Sequence, residues 1–213
     1  MKLIFRAKFC LKYTNWYICE VKKSELTKNY IIEKTATVFN KRGFIGTSLA
    51  EISQATGLTK GGIYGNFKDK LSLSIAVFEY NWASQRKPIL QKINESSSAK
   101  EKLLVFTHHY RRHYKEVFEN GGCALLNTAT DSDDIEPALQ TCAKKALLSW
   151  KHEIENIIKL GLEKREFKNV HPEEFSSLFI ALIEGSILLA KTTSKPKFLI
   201  QNLDFLEKQI KNI

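Results

Sequence analysis

The stretch TGLTKGGIYGNF, residues 56–67, places two adjacent glycines, Gly61 and Gly62, in a segment whose other residues favour a helix. Glycine within a helix costs about 0.5–1 kcal/mol relative to alanine, so this pair needs a physical reason. Thr59 can cap a short helix whose inward residues lie four positions apart, beginning at Ile63. The opposite face then carries two residues without side chains, and its backbone can approach another molecule closely.

The residues before this short helix complete a helix-turn-helix. Thr47 and Ser48 can cap a helix that Gly57 ends, which leaves a one-glycine turn between two short helices. Apolar residues at helical spacing between positions 31 and 39 predict a preceding helix that stops at Gly43. A flexible loop is the alternative, but the caps, the inward spacing and the local basic charge all favour helices.

The positive charge is concentrated in the first third of the chain. The 213 residues are 43% hydrophobic and 26% charged, which is typical of a globular protein with one large domain or a small domain joined to a larger one. The formal net charge is +10, and residues 1–70 contribute +8 of it. This asymmetry indicates a polyanionic partner for the N-terminal part, either a nucleic-acid backbone or a lipid surface.

The composition predicts a cytoplasmic protein without a membrane span. The most apolar run, residues 178–190, is interrupted by Glu184 and is shorter than the roughly 18 residues that a span requires. Basic residues interrupt the apolar part of residues 1–20, so no signal-peptide core is expected. The four cysteines show no CxxC pair and are expected to be reduced thiols.

The run FNKRGFIGTSLAEISQATGLTKGGIYGNFKDKLSLSIAVF, residues 39–78, resembles the DNA-binding region of the tetracycline-repressor (TetR) family of bacterial transcriptional regulators. The shared pattern is a helix ending in Arg-Gly-Phe/Tyr, then Thr-Ser, a helix, Gly-Leu/Val-Ser/Thr-Lys-Gly, Tyr, and Phe with Lys three residues later. The resemblance is specific over this run and weak elsewhere. It implies an all-α homodimer with an N-terminal three-helix helix-turn-helix DNA-binding domain and a larger helical ligand-binding and dimerisation domain. It also implies a repressor released from a palindromic double-stranded DNA operator by an unknown small-molecule effector.

The resemblance assigns DNA contacts to residues of the helix-turn-helix, which are Thr47, Thr59, Lys60, Gly61, Gly62, Tyr64, Asn66 and Lys70. Thr47, Tyr64 and Lys70 are expected on phosphates. Lys60 and the paired glycines are expected at base edges or close to the DNA backbone, with Thr59 at the helix cap nearby. Gly65-Asn66 departs from the His-His or Trp-His common in the family, so a side chain that often grips the backbone is missing at position 65. Asn66 either donates to a phosphate or remains a solvated surface amide.

The pattern divides the chain into residues 1–20, an extension of uncertain role, residues 21–70, the DNA-binding domain, and residues 71–213, the ligand-binding and dimerisation domain. Residues 1–20 either contact DNA or are upstream sequence read through from an early start codon. Their bulky apolar content favours the start-site artefact. A long helix is predicted from Leu71 to about Arg86, where Pro88 should kink or end it.

The rest of the chain predicts further helices. A capping box of Ser98 and Glu101 starts one that the glycines at 121 and 122 end near residue 118. The acids between 131 and 136 are interpreted as a solvated loop and the N-terminus of a helix that begins at Pro137 and runs toward Arg165. Two final helices are predicted at about 172–191 and 196–210.

The last two helices are candidates for the dimer interface. Members of the family pair these helices across the two-fold axis, and the apolar stripe of the first is too wide for one neighbour. The predicted interface residues are Phe179, Ile183, Ile187, Phe198 and Phe205. The alternative is that they only close the core of one subunit.

Candidates for the ligand pocket are Phe106, Tyr110, Cys123 and Trp150. Aromatic residues at helical spacing are also common in an ordinary core, and Cys123 is either a redox switch or a small buried residue. His109 and His113 have the spacing of two ligands on a helix, but no third ligand follows at a recognisable spacing. We therefore expect no metal and no cofactor.

The sequence predicts a dimeric, ligand-responsive DNA-binding regulator, most simply a repressor, and not an enzyme. It contains no Ser-His-Asp motif, no phosphate-binding glycine loop and no paired carboxylates in a recognisable setting. Three alternatives remain: a redox-responsive regulator that senses through Cys123, a helical enzyme that binds a small molecule, and a basic protein of the membrane surface.

Overall fold

The computed structural model describes residues 23–213, so the predictions about residues 1–20 lie outside it. Within this range the chain forms nine helices and no strand, which confirms the predicted all-α fold. The helices are α1 Lys23–Gly46, α2 Leu49–Thr56, α3 Lys60–Tyr64, α4 Lys70–Glu95, α5 Ala99–Glu119, α6 Ala124–Ser132, α7 Pro137–Glu163, α8 Pro172–Thr193 and α9 Lys197–Asn212.

Helices α1 to α3 and the start of α4 enclose a small core of their own. Its buried residues are Ile31, Phe39, Ile52, Ile63, Phe67, Leu73 and Val77. Ser48 caps α2 in a capping box with Glu51, and Gly57 ends α2 in the left-handed conformation at φ 70°. The Thr59 hydroxyl then accepts a hydrogen bond from the Gly62 backbone and caps α3. The helix-turn-helix predicted from caps and inward spacing is therefore present.

Helices α4 to α9 enclose the second, larger core. It is centred on the buried side chains of Phe106, Trp150, Ile154, Phe179 and Ile183. Helix α4 belongs to both cores, because its first turns contact α1 and its later turns contact α5 and α7. Helix α4 therefore connects the second core directly to the helix-turn-helix.

Two predictions about the helices are wrong. Helix α4 does not end near Arg86 but continues through Pro88 to Glu95, because buried residues on both sides of the proline, including Phe78 and Ile89, hold it against the core. Helix α6 was not predicted at all. Its N-terminal residue Cys123 makes no side-chain cap, so the sequence there lacks the usual start signal.

Candidate nucleic-acid interface and ligand clefts

The outward face of α3 is exposed at the start of the helix. Thr59, Lys60 and Gly61 are exposed, whereas Ile63 is fully buried and fixes which way the helix faces. Tyr64 is partly buried against the small core. The predicted contacts from Thr59 to Gly62 thus lie together at the N-terminal end of α3, the end that a recognition helix presents to base edges.

The paired glycines have no structural reason within the subunit. A Cβ on Gly61 would meet no atom closer than 4.0 Å, and a Cβ on Gly62 would make ordinary contacts of 3.5 Å with Leu58 and 3.6 Å with Thr59. Neither glycine has a positive φ. Alanine would fit at both positions and favour the helix. The packing and backbone of the described residues therefore give no reason for the two glycines.

The prediction that Thr47 contacts a phosphate is wrong. Thr47 is fully buried, and its hydroxyl donates to the Gly43 carbonyl at 2.6 Å. The Asn66 amide is not a free surface amide, because it folds back and donates to the Gly62 carbonyl at 2.8 Å. A phosphate contact through its remaining polar groups stays a prediction. Both side chains stabilise the ends of helices.

Lys70 lies at the start of α4 and contacts α1. Its Nζ is 4.6 Å from the centroid of the Phe44 ring. Partial burial lowers the pKa of Lys70, while Asp131 and Glu51 oppose that shift. Because the ammonium is held between the two helices, Lys70 can offer a positive charge from a fixed position rather than from a free side chain.

The loop between α5 and α6 is joined to α1 by two asparagines. The Asn127 amide donates to the carbonyls of Asn40 and Gly121, both at 2.9 Å, and the Asn40 amide donates to the Gly122 carbonyl at 3.1 Å. Gly121 has φ 101°, and a Cβ there would lie 3.0 Å from the Asn40 carbonyl oxygen. The glycines predicted to end α5 therefore also allow the loop to approach α1 closely.

Asp131 forms a second link between the domains, which corrects its interpretation as part of a solvated loop. It lies in α6, and its carboxylate accepts a hydrogen bond from the Phe44 backbone at 2.5 Å. Gly43 has φ 71° and ψ −177°, and a Cβ there would lie 2.4 Å from the same carboxylate. The backbone around Gly43, the predicted helix stop, is thus also the point where α6 contacts α1.

A cleft of about 470 Å³ lies between α1, α4 and α5 and is lined by both Tyr110 and Cys123. Its wall also includes His109, whose pKa burial lowers to about 4, with a contribution from the charge of His113. The rings of the two histidines stack 4.8 Å apart. Within residues 23–213 no group of three or more His, Cys, Asp or Glu side chains is arranged to hold a metal.

Cys123 is held as a thiol. Its Sγ donates to the Glu184 carboxylate at 3.0 Å. Burial, together with the nearby Glu184, raises the pKa of Cys123, which disfavours the thiolate that oxidants attack. Burial also raises the pKa of Glu184 to about 7.

A second cleft, of about 590 Å³, lies between α4 and α7. Trp150 lines it together with Trp82 and Arg86, whereas Phe106 lies behind them in the core. The four predicted pocket residues are therefore divided between two clefts and the core. Sequence reasoning missed Arg86 and Glu153, since a charged residue on a helix is usually solvated.

The prediction of the dimer interface is wrong for Phe179, Ile183 and Ile187. These residues are at most 1% exposed within the single subunit, since they point into its core. Phe198 is also partly buried against that core. The opposite face of α8 is apolar too, with Leu178 63% and Leu188 54% exposed.

Other exposed apolar side chains continue this outer face, which consists of Leu178, Leu188, Leu189 and, on α9, Phe205. Helix α8 is long and apolar enough to cross a membrane by length and composition, although the sequence run appeared too short. Its inner face, however, is a core face, and core helices of soluble proteins meet the same criterion.

The chain matches two models of regulator domains. The model "Bacterial regulatory proteins, tetR family" covers residues 31–77, and the model "Tetracyclin repressor-like, C-terminal domain" covers residues 99–204. A TetR-family regulator from Cytophaga hutchinsonii is 40% identical in sequence, and its crystal structure superposes with a TM-score of 0.85 over 90% of this chain and 96% of that one.

Two further relatives are more distant. The HTH-type transcriptional repressor DhaR of Mycobacterium sp. (strain GP1) is 21% identical over 77% of this chain and 82% of its own length. The regulator FadR of Bacillus subtilis, in complex with stearoyl-CoA, shares the fold with a TM-score of 0.69 at 17% identity over 85% of this chain and 96% of that one. These relatives are regulators rather than enzymes. With the domain models, the relative from C. hutchinsonii and the helix-turn-helix geometry in agreement, the chain belongs to the TetR family of DNA-binding transcriptional regulators.

Proposed function

We propose that this protein is a homodimeric repressor that binds a palindromic operator through two copies of α3 and leaves it when a small molecule binds. The observation that carries the proposal is the outward face of α3. It presents Lys60 beside Gly61 and Gly62, and neither glycine is required by the packing or the backbone conformation of the subunit. Close approach to a duplex supplies the missing reason.

The contacts with DNA divide into two kinds. Lys60 and the paired glycines lie at the N-terminal end of α3 and are placed to read base edges. Thr59, Tyr64 and Lys70 flank them and are proposed to hold phosphates, which position the helix without reading the sequence.

The outer face of α8 and α9 is proposed as the dimer interface. Its exposed side chains include Leu178 and Leu188, and Gly185 on the same helix has open space where a Cβ would lie. A second copy would bury these leucines and could approach closely at the glycine. The dimer must hold its two recognition helices roughly 34–36 Å apart, or a multiple of one helical turn, to enter successive major grooves.

A bound small molecule is proposed to release DNA by favouring a different separation of these helices. Two clefts adjoin α4, and the cleft lined by Tyr110 also includes Asn40 of α1. A ligand there would contact both domains. FadR, which has the same fold, binds stearoyl-CoA, a precedent for a small-molecule ligand on this scaffold.

Selection from a random duplex library tests the proposed function. We expect the full-length protein to enrich a palindrome with two half-sites about one helical turn apart. Lys60→Ala should mainly reduce discrimination between this operator and random DNA. Lys70→Ala should weaken binding to the operator and to random DNA alike. It should also reduce the slope of log affinity against log salt concentration by about one unit. Enrichment of no sequence would overturn the proposal.

Repression itself needs a separate measurement. The selected operator is placed over the promoter of a reporter gene, and expression is measured with and without the regulator. We expect the regulator to lower expression, because a dimer on the promoter excludes polymerase. A rise in expression on adding it would show an activator instead.

A further inference from the structure

The cleft between α4 and α7 contains polar groups that the fold leaves without partners. Arg86 and Trp150 both line it, and both are at least 95% buried, at 5% and 1% exposure. Among the described residues, Arg86 Nη1, Trp150 Nε1 and Glu153 Oε1 have no hydrogen-bond partner. Each such group costs about 1–3 kcal/mol when left unpaired, more when it is charged, and few remain so in native proteins.

The Arg86 guanidinium is fixed in position despite its free nitrogen. Its Nη2 donates to Glu153 Oε2, which leaves the other nitrogen and the other carboxylate oxygen without a partner. The Arg86 Cζ lies 5.5 Å from the ring centroids of Trp82 and Trp150 and 5.2 Å from that of Phe106. Three aromatic rings therefore hold the guanidinium, and a ligand would find it already oriented.

Donors and positive charge exceed acceptors and negative charge in this cleft. The unpartnered donors are Arg86 Nη1 and Trp150 Nε1, against the single unpartnered acceptor on Glu153. The charged residues that line the cleft are Arg86, Glu153 and the exposed Lys87, which sum to one positive charge. A ligand carboxylate would accept hydrogen bonds from both unpartnered donors, and the exposed Lys87 supplies the one positive charge that the Arg86–Glu153 ion pair does not neutralise.

Part of the remaining wall of the cleft is apolar. Trp82 and Trp150 have ring centroids 5.8 Å apart, and Leu90 lines the same cleft. The volume of about 590 Å³ lies within the range of small-molecule sites. An aromatic ring would bury a face against Trp82 and Leu90, and its substituent would meet the two donors once the cleft opens over them, since both donor atoms are closed to solvent in the unliganded subunit.

We propose that this cleft binds a small aromatic carboxylate, with the carboxylate on Arg86 and Trp150 and the aromatic ring against Trp82 and Leu90. This molecule would be the effector, and that part of the inference rests on the proposed function. Arg86 belongs to α4, the helix that begins beside the helix-turn-helix at Lys70. A ligand that shifts α4 would therefore act on the recognition helix without an intermediate element.

Calorimetry on the full-length protein tests the binding site with three probes of one shape. We expect 2-naphthoate to bind, 2-naphthamide to bind at least tenfold more weakly because it lacks the charge, and 2-naphthylmethylamine not to bind. The inference is overturned if the amide or the amine binds as tightly as the carboxylate, or if none of the three binds.

The variant Trp150→Phe tests the placement. It removes the unpartnered Nε1 donor together with part of a buried ring, so the melting temperature should fall because a cavity is left, while affinity for 2-naphthoate should fall several-fold. Tyr114→Phe, which removes a hydroxyl from a residue outside the cleft lining, is the matched control and should leave affinity unchanged. Unchanged affinity in Trp150→Phe would refute the placement.

The role as effector is measured apart from binding. 2-Naphthoate is titrated into the complex of the protein with its selected operator, and DNA release is followed by fluorescence anisotropy. The effector role is supported if 2-naphthoate releases DNA and if Trp150→Phe weakens this release in parallel with its loss of affinity for 2-naphthoate. If 2-naphthoate binds in calorimetry but does not release DNA, only the effector role is overturned. If the protein binds no operator at all, the proposed function is overturned, and the calorimetry still shows whether the cleft binds the ligand.

Discussion

Replacing Gly61 should move stability and DNA affinity in opposite directions. Gly61 is exposed on α3, and no atom lies closer than 4.0 Å to the position of a Cβ. Gly61→Ala should therefore stabilise the helix by up to about 1 kcal/mol, because alanine loses less conformational freedom than glycine on folding. For a chain of this length, that gain raises the melting temperature by about 2–4 °C.

The effect on DNA has the opposite sign because the added side chain points at the duplex. Gly61→Leu gives a similar gain in helix propensity and adds much more bulk. If the bulk displaces α3 enough to break one charge-assisted hydrogen bond in each half-site, at about 1.5–3 kcal/mol each, the operator affinity falls by about 100-fold or more. Gly61→Ala should lie between Gly61→Leu and the parent.

Thermal unfolding by circular dichroism and operator titration by fluorescence anisotropy measure the two effects on the same samples. Thr141→Leu, an added leucine at an exposed position of α7, is the control and should leave operator affinity unchanged. Parental affinity in Gly61→Leu would refute the close-approach argument. A lowered melting temperature in Gly61→Ala would show that the glycine has a structural role in the subunit after all.

Three further predictions concern the dimer, the buried acid and the junction. Leu188→Glu should convert the dimer to a monomer, measured by light scattering, and abolish operator binding. The control Leu148→Glu, at a similarly exposed leucine of α7, should do neither. If the Leu188→Glu variant stays dimeric, the interface lies elsewhere. Burial raises the pKa of Glu184 to about 7, whereas the unfolded pKa is about 4.3. Between these two values the folded state binds more protons than the unfolded state. The free energy of unfolding should therefore fall by about 3 kcal/mol as pH rises across that range. Glu184→Gln should flatten this dependence in urea unfolding, and identical pH profiles would contradict the burial of the acid. Gly43→Ala should cost about 1–3 kcal/mol in the same assay, because φ 71° with ψ −177° suits glycine and the added Cβ would clash with Asp131; a stability equal to the parent would contradict that clash.

Local signals in the sequence were enough to predict the short helices of the helix-turn-helix. The Ser48 capping box, the left-handed Gly57 and the Thr59 cap are each encoded within four residues, and the structure contains all three. It is harder to predict whether a polar side chain points toward solvent or into the protein, because the same residue type suits both positions. Thr47 has the polarity of a phosphate contact but is buried at the end of α1, because only the tertiary fold shows that its hydroxyl satisfies Gly43.

To predict how the C-terminal helices pack, information is needed that no local pattern holds. Helix α8 is apolar on two opposite faces, which agrees with the wide apolar stripe in its sequence. The sequence could not show that Ile183 faces the core and Leu188 faces outward. The same limit applies to Arg86 and Glu153. They are 67 positions apart, on α4 and α7, and become a partly buried ion pair only when those helices pack together.

The positions of the two clefts bear on how a ligand would act. Both clefts border α4, at Tyr80 and Ser84, and the 470 Å³ cleft also includes Asn40 of α1. Asn40 is bonded to the loop before α6 through Asn127, and α6 is bonded to α1 again through Asp131. Helix α4 is bonded to both, because Asn81 donates to the Ala36 carbonyl of α1 and Gln85 donates to the Gly122 carbonyl of the loop before α6. A ligand that moves α4 must therefore either carry α1 and α6 with it as one body or break hydrogen bonds of this network, and each net bond costs about 0.5–1.5 kcal/mol, more at the charged Asp131. Because coupling between two sites is typically about 1–3 kcal/mol, breaking all of them would use most of that energy, and movement as one body is the less costly route.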